Sequence, residues 1–130
     1  MEEAFRNHLL ASVPLVALVG QKIRWVVSSQ GDTGNRIVLT TISRVPVYHT
    51  SGQSDLADAR VQADCYAENA LAALSIARAL KAAIPKTQFT RDGLMFSVTQ
   101  LSERQTYEDA APSHRVHRVS VDFQVWHTSP

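Results

Sequence analysis

Histidine, cysteine and clustered basic residues are the side chains in this sequence with chemistry to offer, and their spacing decides how much of it is usable. Of five histidines, His8, His49 and His127 stand alone, and His114-x-x-His117 is the one close pair. Residues three apart on a strand point to opposite faces. The pair would therefore chelate a metal only on a turn or helix, and no cysteine or carboxylate is spaced beside it as zinc sites require. Surface histidines without a metal are the expectation. The single Cys65 has no sequence neighbour that could activate it, and it falls on the inward side of an alternating segment, where a cysteine behaves as a small buried hydrophobe. SSQGDTGN, residues 28 to 35, carries two glycines but lacks the Gly-Lys-Ser/Thr ending of a phosphate cradle, so it reads as a polar connection. No Gly-x-Ser-x-Gly elbow, His-Glu-x-x-His helix or dinucleotide fingerprint occurs. The sequence implies no catalytic residue and no cofactor, and an enzyme is not expected.

One positive cluster remains, His114, Arg115, His117 and Arg118, with Glu103, Glu108 and Asp109 just upstream. If the last two strands form a hairpin, these charges face each other and each pair stabilises by a few tenths of a kcal/mol, on the order of ~0.3. That structural use is favoured over phosphate binding. Tyr48, Tyr66 and Tyr107 are too scattered to form the stacking platforms of single-strand binders.

These residues must be positioned by a chain of 130 residues, which fits a single domain over 1–130 that needs neither disulfide nor metal to fold. Thirteen Lys and Arg against twelve Asp and Glu give a formal charge of +1, no overall attraction for nucleic acid or acidic membrane. No segment approaches the ~20 apolar residues of a membrane span, and the acidic start MEEAFRN is unlike a signal peptide, so a soluble cytosolic product without membrane contact is expected.

The elements follow from periodicity. Residues 2 to 13 read as a first helix, with Phe5, Leu9 and Val13 every four residues and Pro14 as the stop, and PLVALVG as a tight apolar turn ending at Gly20. IRWVV and RIVLTTISRV read as strands, and residues 47 to 58 as a long connection. In RVQADCYA, Val61, Ala63, Cys65 and Ala67 alternate with polar residues. The period then changes to that of a helix, capped at Glu68 or Asn69 and stopped by Pro85, with Ala70, Ala73, Leu74, Ala77, Leu80 and Ile84 on its apolar side. Asp92-Gly93 marks a tight hairpin, and Leu94, Phe96 and Val98 alternate in its return strand, which gives way to polar residues through EDAAPS. Val119, Val121, Phe123 and Val125 give the clearest alternation in the chain. The fold class is α+β, a mostly antiparallel sheet with two helices packed against it.

The early LVALVGQKI, the run to VPVYHTSG, the block RVQADCYA followed by an Ala-rich helix ending in ALKAAI, and the late TYE followed by RVSVDFQVWH cover almost the whole chain in order. In this combination the sequence resembles the phage tail-completion family, the tail-terminator or head-tail joining proteins of long-tailed bacteriophages. The resemblance implies a virion structural protein made in the host cytoplasm and without catalytic residues. It implies a ring homo-oligomer, with six subunits, that caps the tail tube, contacts the tube protein and a neck or head-completion protein, and lets double-stranded DNA through. A closed ring needs two different surfaces per subunit. Arg60, Asp64, Arg78, Lys81, His114, Arg115 and Arg118 are the candidates for those contacts, taken as outward-facing, and Arg36, Arg44, Lys86 and Arg91 are the candidates for a DNA-facing lumen. The alternatives are another neck component such as a head-completion protein, and a small nucleic-acid-binding module.

Overall fold

A computed structural model describes residues 1–25, 34–49, 52–111 and 114–128. The elements in chain order are α1 (Glu2–Leu10), α2 (Val13–Val19), β1 (Ile23–Trp25), β2 (Arg36–His49), β3 (Gly52–Ala67), α3 (Ala70–Ala83), β4 (Phe89–Arg91), β5 (Leu94–Ala111) and β6 (His114–Thr128). Six strands form one sheet in the order β1-β2-β3-β6-β5-β4. Every pairing is antiparallel except β1 with β2. The expected α+β class with a mostly antiparallel sheet is what forms.

The middle of the sheet is the β3–β6 pair, in register without a break from Leu56 opposite Thr128 to Ala67 opposite His117. Side chains alternate across a strand, so this register puts Ala59, Val61, Ala63, Cys65 and Ala67 beside Val119, Val121, Phe123 and Val125 on one face. All of them are buried, as their alternation predicts. The three helices cover that face. From α3 come Ala73, Ile76, Ala77 and Leu80, from α1 Phe5 and Leu9, and from α2 Leu15 and Val19. Small residues on β3 let α3 lie close, and the bulk is restored by Phe5, Phe96 and Phe123, each of which would cost about 3–5 kcal/mol to truncate.

Local signals are realised at several element ends. Asn69 caps α3, its side-chain oxygen accepting from the Ala72 N–H at 2.8 Å, an arrangement worth about 1 kcal/mol. Asp92 and Gly93 both have positive φ, 52° and 80°, which a two-residue type I′ turn between β4 and β5 requires.

Three expectations change. The apolar run after Pro14 is not a turn but the helix α2, and α1 stops at Leu10. Pro14 sits in the first turn of α2, where a missing N–H costs nothing, so it starts a helix rather than ending one. Residues 47–49 and 52–58 are strand, not loop: they form the far half of a long β2–β3 hairpin paired down to His49 opposite Gly52, and Thr50 and Ser51 lie outside the described residues. Likewise β5 continues through the polar residues to Ala111 and pairs with β6 up to Ala111 opposite His114. Hydrogen bonding to a neighbouring strand, not an apolar alternation, holds both extensions. Val27 and most of the 28–35 loop lie outside the described residues.

At the rim of the core His8 is fixed by three neighbours. Its Nε2 sits 2.9 Å from the Ala83 carbonyl, which can only accept, so this nitrogen carries the proton. Nδ1 faces Arg91 at 3.4 Å, and the ring stacks on Phe89 with centroids 4.3 Å apart. Burial first, with Arg91 adding to it, lowers the His8 pKa below its ordinary 6.5. Burial likewise lowers that of His127, which is 5 % exposed. On acidification the unfolded chain therefore takes up these protons before the folded one. The stability contributed is complete above about pH 6.5 and is lost as pH falls through the lowered folded values. NMR titration of the native protein should give both imidazoles pKa values below 6.5, with a denaturation midpoint that drops from pH 7.5 to 5. Values at or above 6.5 would contradict the packing described.

Candidate functional site

The even-numbered side chains of β3 and β6 emerge on the face the helices leave bare. Here the register collects polar residues: Asp58, Arg60, Gln62, Asp64 and Tyr66 on β3 stand beside Arg118, Ser120, Asp122 and Gln124 on β6. From β5 the same face receives Ser102, Arg104 and Thr106, and from β1 and β2 it receives Arg24, Arg36, Val38 and Thr40. The arginines of this face among the described residues are Arg24, Arg36, Arg60, Arg104 and Arg118, against the acids Asp58, Asp64 and Asp122.

Two of those acids are buried although no layer covers them. Asp122 is 3 % exposed and Asp64 7 %. Neighbouring long side chains close over them. Asp122 Oδ2 accepts from Ser102 Oγ at 2.9 Å and pairs with Arg104 at 3.3 Å and Arg60 at 3.5 Å. Asp64 Oδ1 accepts from Ser120 Oγ at 2.6 Å and from Gln62 Nε2 at 3.0 Å. Further along, Gln124 Nε2 reaches both oxygens of Asp58 at 3.1 and 3.2 Å, and Arg118 Nε donates to Thr106 at 3.0 Å. Arg36 lies over the Tyr66 ring, 4.5 Å from its centroid, and donates to the Gly34 carbonyl at 3.2 Å. A carboxylate this buried costs several kcal/mol, on the order of ~3–5, if it loses its partners. The network offsets much of that cost rather than adding net stability, although Asp122 Oδ1 keeps no partner among the described residues, and its result is a polar surface on which most charges are already engaged.

Among the residues expected at contacts, Arg60 is exposed and holds Asp122 as described, and Arg118 is half-buried. Asp64 points away from the helices as expected, but it is not exposed: Ser120 and Gln62 enclose it on the bare face. Lys81 is half-buried and tied to Glu103 at 3.1 Å, which anchors α3 to β5. Arg78 is exposed on the outer side of α3, beside Leu71 at 77 % exposure. The side chains of His114 and Arg115 lie outside the described residues, but the backbone sets Arg115 opposite Asp109, the cross-strand placement expected of that cluster. The seven thus divide among the bare sheet face, the helix layer and the β5–β6 hairpin tip.

The four lumen candidates are not gathered either. Arg36 is on the bare face. Arg44, opposite Ala59, is on the helix side and pairs with Glu2; Arg91 is on the helix side against His8; Lys86 follows α3. Arg24 and Arg104 share the bare face with Arg36 but were not signalled by the sequence, because charge counting cannot see which strands are neighbours. Cys65 is fully buried, and desolvation foremost, with Asp64 next, pushes its thiol far up, so it is not a thiolate at neutral pH. Among the described residues no group of three His, Cys, Asp or Glu could hold a metal ion, and no helix is long and apolar enough to cross a membrane.

The other notable surface is the pair of sheet edges. β1 covers β2 only from Ile37 to Leu39, and β4 covers β5 only from Leu94 to Phe96. Beyond those points no strand among the described residues pairs with the outer side of β2 or β5.

Comparison with known proteins gives a consistent result. The model of the family described as tail completion protein gp17 matches residues 3–128. No curated protein matches. A solved chain from the virion of a native gene transfer agent particle superposes with a TM-score of 0.76 at 16 % identity, over 99 % of this chain and 95 % of that one. A second solved protein gives 0.55 at 14 % identity, over 95 % and 92 %. At such identities these two likenesses speak for the fold.

Proposed function

The chain belongs to the tail completion protein gp17 family, structural proteins of the phage virion, and from that premise we propose that it is a tail terminator. Copies close into a ring, of six subunits, that caps the tail tube and joins it to the neck. Double-stranded DNA passes through the centre. The observation that carries this reading is the bare sheet face, where Arg60 and Arg104 share the buried Asp122, Arg36 lies over Tyr66 and Arg118 donates to Thr106, so that these arginines already have partners within the sheet. A channel for DNA has to admit a phosphate backbone without gripping it. Each free Lys or Arg that meets a phosphate strengthens binding by counterion release, with a slope in log salt of about −0.9 per contact, so a channel of free arginines would retain the DNA. Arginines held by Asp122, or laid over Tyr66, keep the wall mildly positive and polar. The lumen wall is accordingly assigned to Arg24, Arg36, Arg60, Arg104 and Arg118, with the helix layer turned outward.

Light scattering with electron microscopy of the concentrated protein should show a ring with an axial opening, and the ring should bind the ends of purified tail tubes. A monomer that binds filled heads and ignores tubes would assign it instead to head completion. In the lumen, Asp122→Asn releases the half-exposed Arg60 and Arg104 from their shared partner. Binding of the assembled variant to duplex DNA should tighten, with a salt slope steeper by about 1–2 than that of the native ring. An unchanged slope would remove this face from the DNA path.

A further inference from the structure

The two unpaired edges carry a matched feature. The pairing of each outer strand has two register shifts, and at the one nearer the middle of the strand the skipped residue is a large exposed apolar one. On β2 it is Ile42, between Thr41 and Ser43, at 52 % exposure. On β5 it is Leu101, between Gln100 and Ser102, at 45 %. Tracing the register across the sheet gives their relative height. Thr41 pairs with Val61, Val61 with Phe123, and Phe123 with Gln100. Because β2 and β5 run in opposite senses, Ile42 and Leu101 step off this level to opposite sides and stand within about one residue spacing of each other in height on the two edges. Around them the edges are open: every residue from Ile42 to Val45 and from Thr99 to Thr106 is exposed. Strand edges that avoid partners are short, charged, bulged or covered; these carry bulges and the charges of Arg44, Glu103 and Arg104, but they are long, and each bears an exposed apolar side chain at mid-height.

The strand directions complete the match. β2 is antiparallel to β3, β3 to β6 and β6 to β5, so the two outer strands run in opposite senses. Placing a second copy alongside with the same end up brings the β5 edge of one against the β2 edge of the next in an antiparallel arrangement. This is the arrangement of a closed head-to-tail ring, in which two different surfaces meet at every joint.

We infer that neighbouring subunits join by antiparallel pairing of the β2 edge with the β5 edge, Ile42 of one copy packing against Leu101 of the next. This rests on the ring reading above and specifies its joint. The partner is a second copy of this chain. The free N–H and C=O groups of both strands gain partners, and two exposed apolar side chains leave water together. The sheets then run continuously around the ring, which presents the bare polar face as one uninterrupted wall. The outer side of α3, with Leu71 and Arg78, stays out of the joint.

Cysteines at the two positions test the pairing, because the native Cys65 is fully buried. Full-length Ile42→Cys and Leu101→Cys variants are purified separately and oxidised at high concentration, alone and mixed. The mixture should give disulfide dimers at least tenfold faster than either variant alone, and the double variant should give a ladder ending in a closed ring. As a second measurement, Leu101→Asp should shift the native assembly to monomer at unchanged helix and strand content by circular dichroism. Rings visible by microscopy without mixed crosslinks, or unaffected by Leu101→Asp, would overturn the edge joint while leaving the ring. A monomeric protein without crosslinks would overturn both.

Discussion

The antiparallel register between β3 and β6 is the interaction on which the rest of the molecule depends. It is unbroken from Leu56–Thr128 to Ala67–His117, and because side chains alternate, it fixes two surfaces together. A one-residue slip of β3 against β6 would send Val61, Ala63 and Cys65 to solvent and Gln62 and Asp64 under the helices. The apolar cost on one side and the buried unpaired carboxylate on the other make that slip prohibitive. The core and the polar face are two consequences of a single pairing.

The outer strands convert this central pair into a part for assembly. β2 and β5 extend past their short companions β1 and β4, and the hairpins they form with β3 and β6 turn at opposite ends of the sheet. One tip lies at His49–Gly52 and the other at Ala111–His114, so each subunit has a distinct end above and below as well as a distinct edge left and right. The proposed joint between tube and neck would use such polarity, because its two sides would meet different partners. The bare face, with its arginines already engaged, fits the proposed passage rather than tight binding, and burial disfavours the charged forms of the thiol and imidazoles of the core.

Much of this was legible from sequence wherever one residue's environment is set by its near neighbours. The alternation in RVQADCYA and RVSVDFQV, the Asn69 cap and the Asp92-Gly93 turn are local signals, and each is realised. The family blocks also read correctly, and the family match over residues 3–128 covers them. Illegible features share a physical cause, dependence on a partner strand. Residues 47–49 and 52–58 have no alternation because strand pairing, not a core, holds them extended. Pro14 reads as a stop or a start depending on where the helix before it frays. Asp64 and Asp122 are buried by Gln62, Ser120, Arg60 and Arg104, contacts that no count along the chain reveals. The near levelling of Ile42 with Leu101 exists only across four strands.

Backbone hydrogen exchange, compared between dilute monomer and assembled ring, tests most directly the claim that the sheet is built to be continued by its own edges. The account predicts that amides on the outward sides of residues 40 to 46 and 97 to 103 exchange quickly in the monomer and become protected on assembly, while the outer face of α3 does not change. Protection that appears on α3 around Leu71 and Arg78, with both strand edges still exchanging freely, would contradict it.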